Sequence, residues 1–215
     1  MSRGTPLTAF PGSPQVLKGA LVSIEAERSV PVVIAFQYNP ATVTRQLESR
    51  GADGGPTANR LAGAPVETIT LEVELDATDA LEKGDPIAKA SGILPQLSAL
   101  ETLLYPSSIR MVSNAVLAAT GTIEIIPPAG RLVLFVWGAS RVLPVSVKQF
   151  SVVEEAHDPK LVPIRARVSL GLRVLSYDDL GATHPGFSVF LAHHVAKEAL
   201  AMLGSASSLA TVLGG

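Results

Sequence analysis

The sequence predicts an α+β protein dominated by antiparallel β-structure, either a barrel or a two-sheet sandwich, with a helix packed on the sheets and a C-terminal helical extension. Three observations predict it. Residues 66 to 76 and 162 to 175 alternate apolar and polar side chains over strand length, the period-two pattern of a half-buried strand. Residues 31 to 38 and 131 to 137 are short apolar runs closed by turn formers, as buried strands are. Helical spacing is confined mainly to 95 to 104 and 186 to 203.

Taken in order, residues 17 to 27 alternate well enough for a first strand, and 31 to 38 form a second, more apolar one. Asn39 and Pro40 stop it, because Asn caps its own turn and Pro has no N–H for a ladder. Residues 48 to 65 are rich in Gly, Pro and small side chains, which predicts a long flexible loop that orders against a neighbouring subunit. From 66 to 76, Ile69, Leu71, Val73 and Leu75 make one apolar face, with Glu72 and Glu74 on the other.

Between 79 and 104 the apolar residues are helical in spacing, but Gly84, Pro86, Gly92 and Pro95 interrupt them. The firmest helix is therefore 95 to 104, opened by Pro95 and ended by Tyr105 and Pro106. Residues 107 to 130 read as an irregular strand before the Pro127–Pro128 turn. Strands are expected at 131 to 137, 142 to 153 and 162 to 175. The last sets Ile164, Ala166, Val168, Leu170, Leu172 and Val174 against Arg165, Arg167, Ser169 and Arg173.

The helix at 186 to 203 carries an apolar stripe of Phe187, Phe190, Leu191, Val195, Ala199 and Met202, opposite His193, His194, Lys197 and Glu198. That spacing suits docking on a sheet or on another subunit. Residues 204 to 215 are an Ala/Ser/Gly tail. The expected organisation is an arm at 1–17, a β domain at 18–178, and a helical extension with its tail at 179–215.

Composition excludes several classes of function. The chain is 47% hydrophobic and only 17% charged, so part of its surface is expected to be covered by other subunits. A net charge of -2 without any Lys/Arg cluster argues against nucleic acid. Without cysteine there is no disulfide, thiol catalysis or thiolate metal site. The first residues lack the apolar run of a secretion signal, and no apolar stretch has the length of a membrane span.

No phosphate-binding loop or nucleophile elbow occurs. Asp76, Asp79, Glu82 and Asp85 lack the alternate-residue spacing of a calcium loop. His193 and His194, adjacent on a helix, point about 100° apart and do not chelate one metal. Trp137, in an apolar run, reads as core rather than a stacking platform. The expectation is no enzyme, no cofactor and no metal.

Several motifs stand in a fixed order: Phe36, Gln37, Tyr38, Asn39 and Pro40; the strand from Thr70 to Asp76; Leu97, Leu100 and Leu104; Pro127 and Pro128; Phe135 to Gly138; and Pro163 to Leu170. From roughly Lys18 to Leu175 this order resembles the tube-protein domain of contractile injection systems, the phage-tail-like machines that drive a tube and spike through a target envelope. Two features depart from the pattern, Leu143–Pro144 in place of an aromatic and a glycine, and a hairpin turn, 156 to 163, without its glycine. The LysM-type module carried by many relatives is absent, so no glycan binding is implied.

The resemblance implies a tail-tube-like domain that assembles as a sixfold homo-oligomeric ring at the baseplate end of the inner tube. The ring would link the tube to the spike or surrounding baseplate proteins, without nucleic acid and without membrane insertion. Such a particle is assembled in the bacterial cytoplasm. Alternatives are a main inner-tube protein stacking along the shaft, or an unrelated ligand-binding β-barrel. Phe36, Asn39, Pro40 and Trp137 are the motif and core residues. Arg165 and Arg167 are expected to meet Glu72 and Glu74 of the adjacent subunit, and Phe187, Phe190, Leu191 and Val195 to dock the helix on another chain.

Overall fold

The structure, a computed structural model, describes residues 17–25, 31–51, 61–106, 108–119 and 131–213. In chain order its strands are β1 (Ala20–Ile24), β2 (Val32–Ala35), β3 (Val43–Glu48), β4 (Val66–Asp76), β5 (Leu132–Val136), β6 (Val142–His157) and β7 (Pro163–Val174). The helices are α1 (Thr78–Glu82), α2 (Pro86–Ser91), α3 (Leu94–Glu101, continued by a 3-10 turn to Leu104), α4 (Ser108–Ala119) and α5 (Pro185–Leu213).

All strands join one seven-stranded sheet in the order β2-β1-β5-β6-β7-β4-β3, and every neighbouring pair is antiparallel. The α+β class therefore holds, whereas the barrel or two-sheet expectation is corrected: there is one sheet and its ladder stays open. The reason lies between β2 and β3. After Ala35 the amide of Phe36 still bonds to Gly19 O at 2.8 Å. The chain then turns through 37–42, where Pro40 has no N–H to give, and joins β4 at Val43, opposite Leu71. One stretch of chain thus supplies both edges of the sheet.

The inner face of the curled sheet is the core. On β4, Ile69, Leu71, Val73 and Leu75 are buried, as are Ala166, Val168, Leu170, Leu172 and Val174 on β7, so strict alternation was a faithful guide to these two strands. Phe36 and Phe135 are fully buried among them, each contributing about 1.5–3 kcal/mol by removal from water. Leu143 lies in this core, and Pro144 beside it is also buried within β6. Ile93, Leu97 and Leu100 close the core from the helical side, and Phe190 enters it from α5.

Local chemistry positions the helices. Asp85 caps α2 by accepting from Ile87 N and Ala88 N, and Pro86 follows at the first helical turn. Gly92 takes a φ of 54°, so the amide of Ile93 bonds to Pro163 O at 3.0 Å. A side chain at Gly92 would strike the Pro163 carbonyl.

In the β6–β7 turn no glycine is present, and Leu161 itself adopts a φ of 63°. Asp158 holds that turn, its carboxylate accepting from Lys160 N at 2.7 Å and Val162 N at 2.9 Å.

Three further expectations change. Part of the segment read as an irregular strand is α4, residues 108–119, and 120–130 lie outside the described residues. The strand β3 was not anticipated. The helix expected over 186 to 203 continues through the Ala/Ser/Gly tail to Leu213. The base of the loop expected to be flexible is pinned by a Gly51–Leu61 bridge and by Ala64 N donating to Asp178 at 2.8 Å; its tip, 52–60, and the arm, 1–16, lie outside the described residues.

Candidate assembly surfaces

The Phe36–Pro40 motif forms the corner between the two edges of the sheet. Phe36 points into the core. The Gln37 side-chain amide donates to Asp76 O at 2.7 Å, while its oxygen accepts from Asp76 N at 3.0 Å, so it occupies the rung a strand residue would fill beside β4. Asn39 does the same for β1: its oxygen accepts from Gly19 N and its nitrogen donates to Leu17 O, both at 2.8 Å. Pro40 is half-buried at the bend.

Trp137 is half-buried and packs on the core. Its ring stacks on Phe135 with centroids 5.9 Å apart. Gly19 makes room for it, since a Cβ there would lie 2.7 Å from the indole and 2.8 Å from Phe36. The corner, β1 and the β5 end are thus locked by three residues of the motifs read from sequence.

The outer face of β4 and β7 carries the expected charges, but the two strands are neighbours in one chain, with Glu74 opposite Arg167 and Asp76 opposite Arg165. Arg165 pairs with Asp76 at 2.7 Å and Arg167 with Glu155 at 3.0 Å. Both arginines therefore have partners inside the subunit, and Glu72 and Glu74 lie exposed beside them. Partial burial works against ionisation of Asp76, but hydrogen bonds from Thr78 and Arg165 outweigh it and hold its carboxyl below the usual range. A second pair, Arg45 with Glu67 at 2.6 Å, ties β3 to β4, with Glu67 buried.

Helix α5 does not use its apolar stripe as one surface. Phe190 faces the core, and His193 approaches Ser140 O in the β5–β6 turn at 3.3 Å. Phe187 is half-buried. Leu191 and Val195 point away, 47% and 54% exposed. The start of the helix therefore belongs to the subunit's own core, and only Leu191 and Val195 among the four named residues are free for another chain. Burial holds the His193 imidazole below its usual pKa, with the Lys197 charge adding to the effect.

Two surfaces escaped the sequence reading. Helix α4 exposes Ile109, Val112 and Val116; their i, i+3, i+7 spacing was the available signal. The β6–β7 hairpin outruns β5, which pairs with β6 only from Val142 to Val145. Among the described residues, Ser146–His157 has no strand on that side, and no sequence pattern announces where a neighbour stops.

A cleft of about 780 Å³ lies between β2, the end of β4 and α1–α3, floored by Ile34, Phe36, Val73 and Leu100, with Lys83, Asp85 and Gln96 also lining it. Among the described residues no group of three His, Asp or Glu side chains could hold a metal ion, and no helix is long and apolar enough to cross a membrane. Compared with known proteins, the chain matches no family model and no curated protein.

Proposed function

We propose that the protein is a structural, non-enzymatic component of a phage-tail-like contractile injection system, forming a ring at the baseplate end of the inner tube. The resemblance carried by the Phe36–Pro40, Phe135–Gly138 and Pro163–Leu170 motifs supplies the class. The observation that carries the reading is the pair of free strand edges. Among the described residues, the edge strand β3 pairs only with β4, and the distal half of β6 pairs only with β7. Unpaired edges of this length in an isolated subunit invite pairing with another chain, and a head-to-tail contact between unlike edges closes into a ring when its rotation permits.

The interior of the sheet supports a mechanical part over a ligand-binding barrel. Among the described residues it is filled by Phe36, Phe135, Leu143 and the β7 side chains. The cleft beside α1–α3 reaches this core, which floors it with Ile34, Phe36, Val73 and Leu100. Native mass spectrometry and negative-stain microscopy of the purified chain test the proposal. Closed rings of a single copy number are expected; a chain that stays monomeric at all concentrations, alone and with its particle partners, would overturn it.

A further inference from the structure

Strand β2 lies at one end of the sheet, and among the described residues only β1 pairs with it. The bond from Phe36 N to Gly19 O makes those two residues a hydrogen-bonded pair. Such pairs alternate along an antiparallel ladder, so Ile34 and Val32 also turn their backbone groups toward β1. Val33 and Ala35 turn theirs to the open side, where the N–H and C=O of each have no partner among the described residues.

Val33 and Ala35 line the cleft of about 780 Å³ that separates β2 from α1–α3. Its floor is apolar, with Ile34, Val73 and Leu100 buried, while Val33 and Ile87 at its mouth are 61% and 63% exposed. A free strand edge beside such a groove takes an extended peptide as a further strand, held by main-chain bonds and selected by the pocket for alternate side chains. Period two fixes which side chain enters. Because Ile34 is buried and Val33 and Ala35 are exposed, the peptide residue opposite Ile34 points into the cleft and its two neighbours point to solvent.

Charge narrows the occupant further. Asp76, Asp79 and Asp85 line the cleft against one cation, Lys83. Asp76 is paired with Arg165 and Asp85 caps α2, which leaves the exposed Asp79 to meet a basic side chain. Pairing β2 with β2 of a second copy would set two acidic rims side by side, an unfavourable arrangement.

We propose that the β2 edge and the adjoining cleft bind an extended segment of a different protein, with an apolar residue flanked by Lys or Arg, as an added strand beyond β2. This site is separate from the β3 and β6 edges and does not depend on the ring.

Val33→Pro tests the edge without cutting a ladder bond, because the N–H it removes faces the open side, where strands tolerate proline. Val33→Thr keeps that N–H. The probe is a fluorescent synthetic peptide of about seven residues, long enough to span β2, with a central leucine between threonines and lysine toward each end. Its counterpart carries glutamate in place of lysine. By fluorescence anisotropy the lysine peptide should bind the native chain and Val33→Thr alike, and Val33→Pro about tenfold more weakly. The glutamate peptide should bind the native chain more weakly than the lysine peptide, and Asp79→Lys should reverse that preference. Hydrogen exchange across 32–35 should slow when the lysine peptide binds, a readout that stands even if Val33→Pro fails to fold.

Three results would overturn the proposal: no saturable binding of the lysine peptide up to about 1 mM, equal affinity for Val33→Pro and Val33→Thr, or unchanged exchange across 32–35. Dimers of the native chain that disappear in Val33→Pro would overturn it in favour of a second copy.

Discussion

The Gln37 side chain holds both backbone groups of Asp76, at 2.7 and 3.0 Å, and so stands in for a strand residue where the sheet has no strand. Replacing Gln37 by Ala leaves a partly buried N–H and C=O without partners, at a cost of about 1–3 kcal/mol. Urea denaturation should show this as a lower midpoint with an unchanged slope. Gln37→Glu should lose stability too, because a carboxylate accepts from Asp76 N but has nothing to donate to Asp76 O. Equal stability of all three proteins would mean that the corner is held by other contacts.

Trp137→Ala should destabilise the fold by about 2–4 kcal/mol, somewhat less than a fully buried aromatic would, because the indole is only partly covered. Gly19→Ala should cost about 1–3 kcal/mol by overpacking against the same ring. The two effects share one contact, so the double variant should fall short of their sum. Thermal melting of the four proteins measures this, and full additivity would separate Trp137 from Gly19.

Leu161→Gly should stabilise the protein by about 0.5–1 kcal/mol. A left-handed backbone costs a side-chain-bearing residue roughly 1–2 kcal/mol, part of which glycine returns as lost chain entropy. Leu161 is 80% exposed, so little burial is given up. Lower stability of the glycine protein would show that the Leu161 side chain has an unseen role in the turn.

Acid should weaken the fold in two stages. The His193 imidazole sits below its usual 6.5 in the folded chain, so the unfolded chain takes the proton first and stability falls as pH drops through 6.5. Around it lie Lys197 on its own helix, the Ser140 carbonyl, and the Arg45 and Glu67 charges from β3 and β4. The second stage begins near 3.8, where Asp76 and Asp179, both held below that value, become protonated first in the unfolded chain. For Asp179 burial opposes ionisation, and bonds from Ser176 with the charge of Arg173 outweigh it. Denaturation midpoints from pH 8 to 3 should lose the upper stage in His193→Gln and part of the lower in Asp76→Asn. A His193→Gln profile identical to that of the native chain would exclude the imidazole.

Sequence disclosed the strands whose side chains alternate against a single core. Ile69 to Leu75 and Ala166 to Val174 were legible because period-two burial depends only on the strand and one face. It could not disclose β3, since only Val43, Arg45 and Leu47 would mark its alternation and the burial of Glu67 is explained only by Arg45 across the ladder. Helix α4 was misread because its Ile and Val residues favour strands while its spacing favours a helix. The interface candidates divided for a related reason. A charge pattern on one strand shows that a partner exists, but strand order decides whose it is, and β4 beside β7 supplies the carboxylate for Arg165 within the same chain. Phe190 was legible as apolar, yet which way α5 rolls on the sheet depends on the β5–β6 turn.

A sheet closed by a continuous ladder has its girth set by strand number, tilt and stagger together. In the one described here the two edges are joined by the 36–42 corner and the Gln37 amide on Asp76 rather than by a ladder, so its circumference is not locked by backbone register. Such a subunit can adjust its curvature at one hinge line while every other strand pair keeps its alignment.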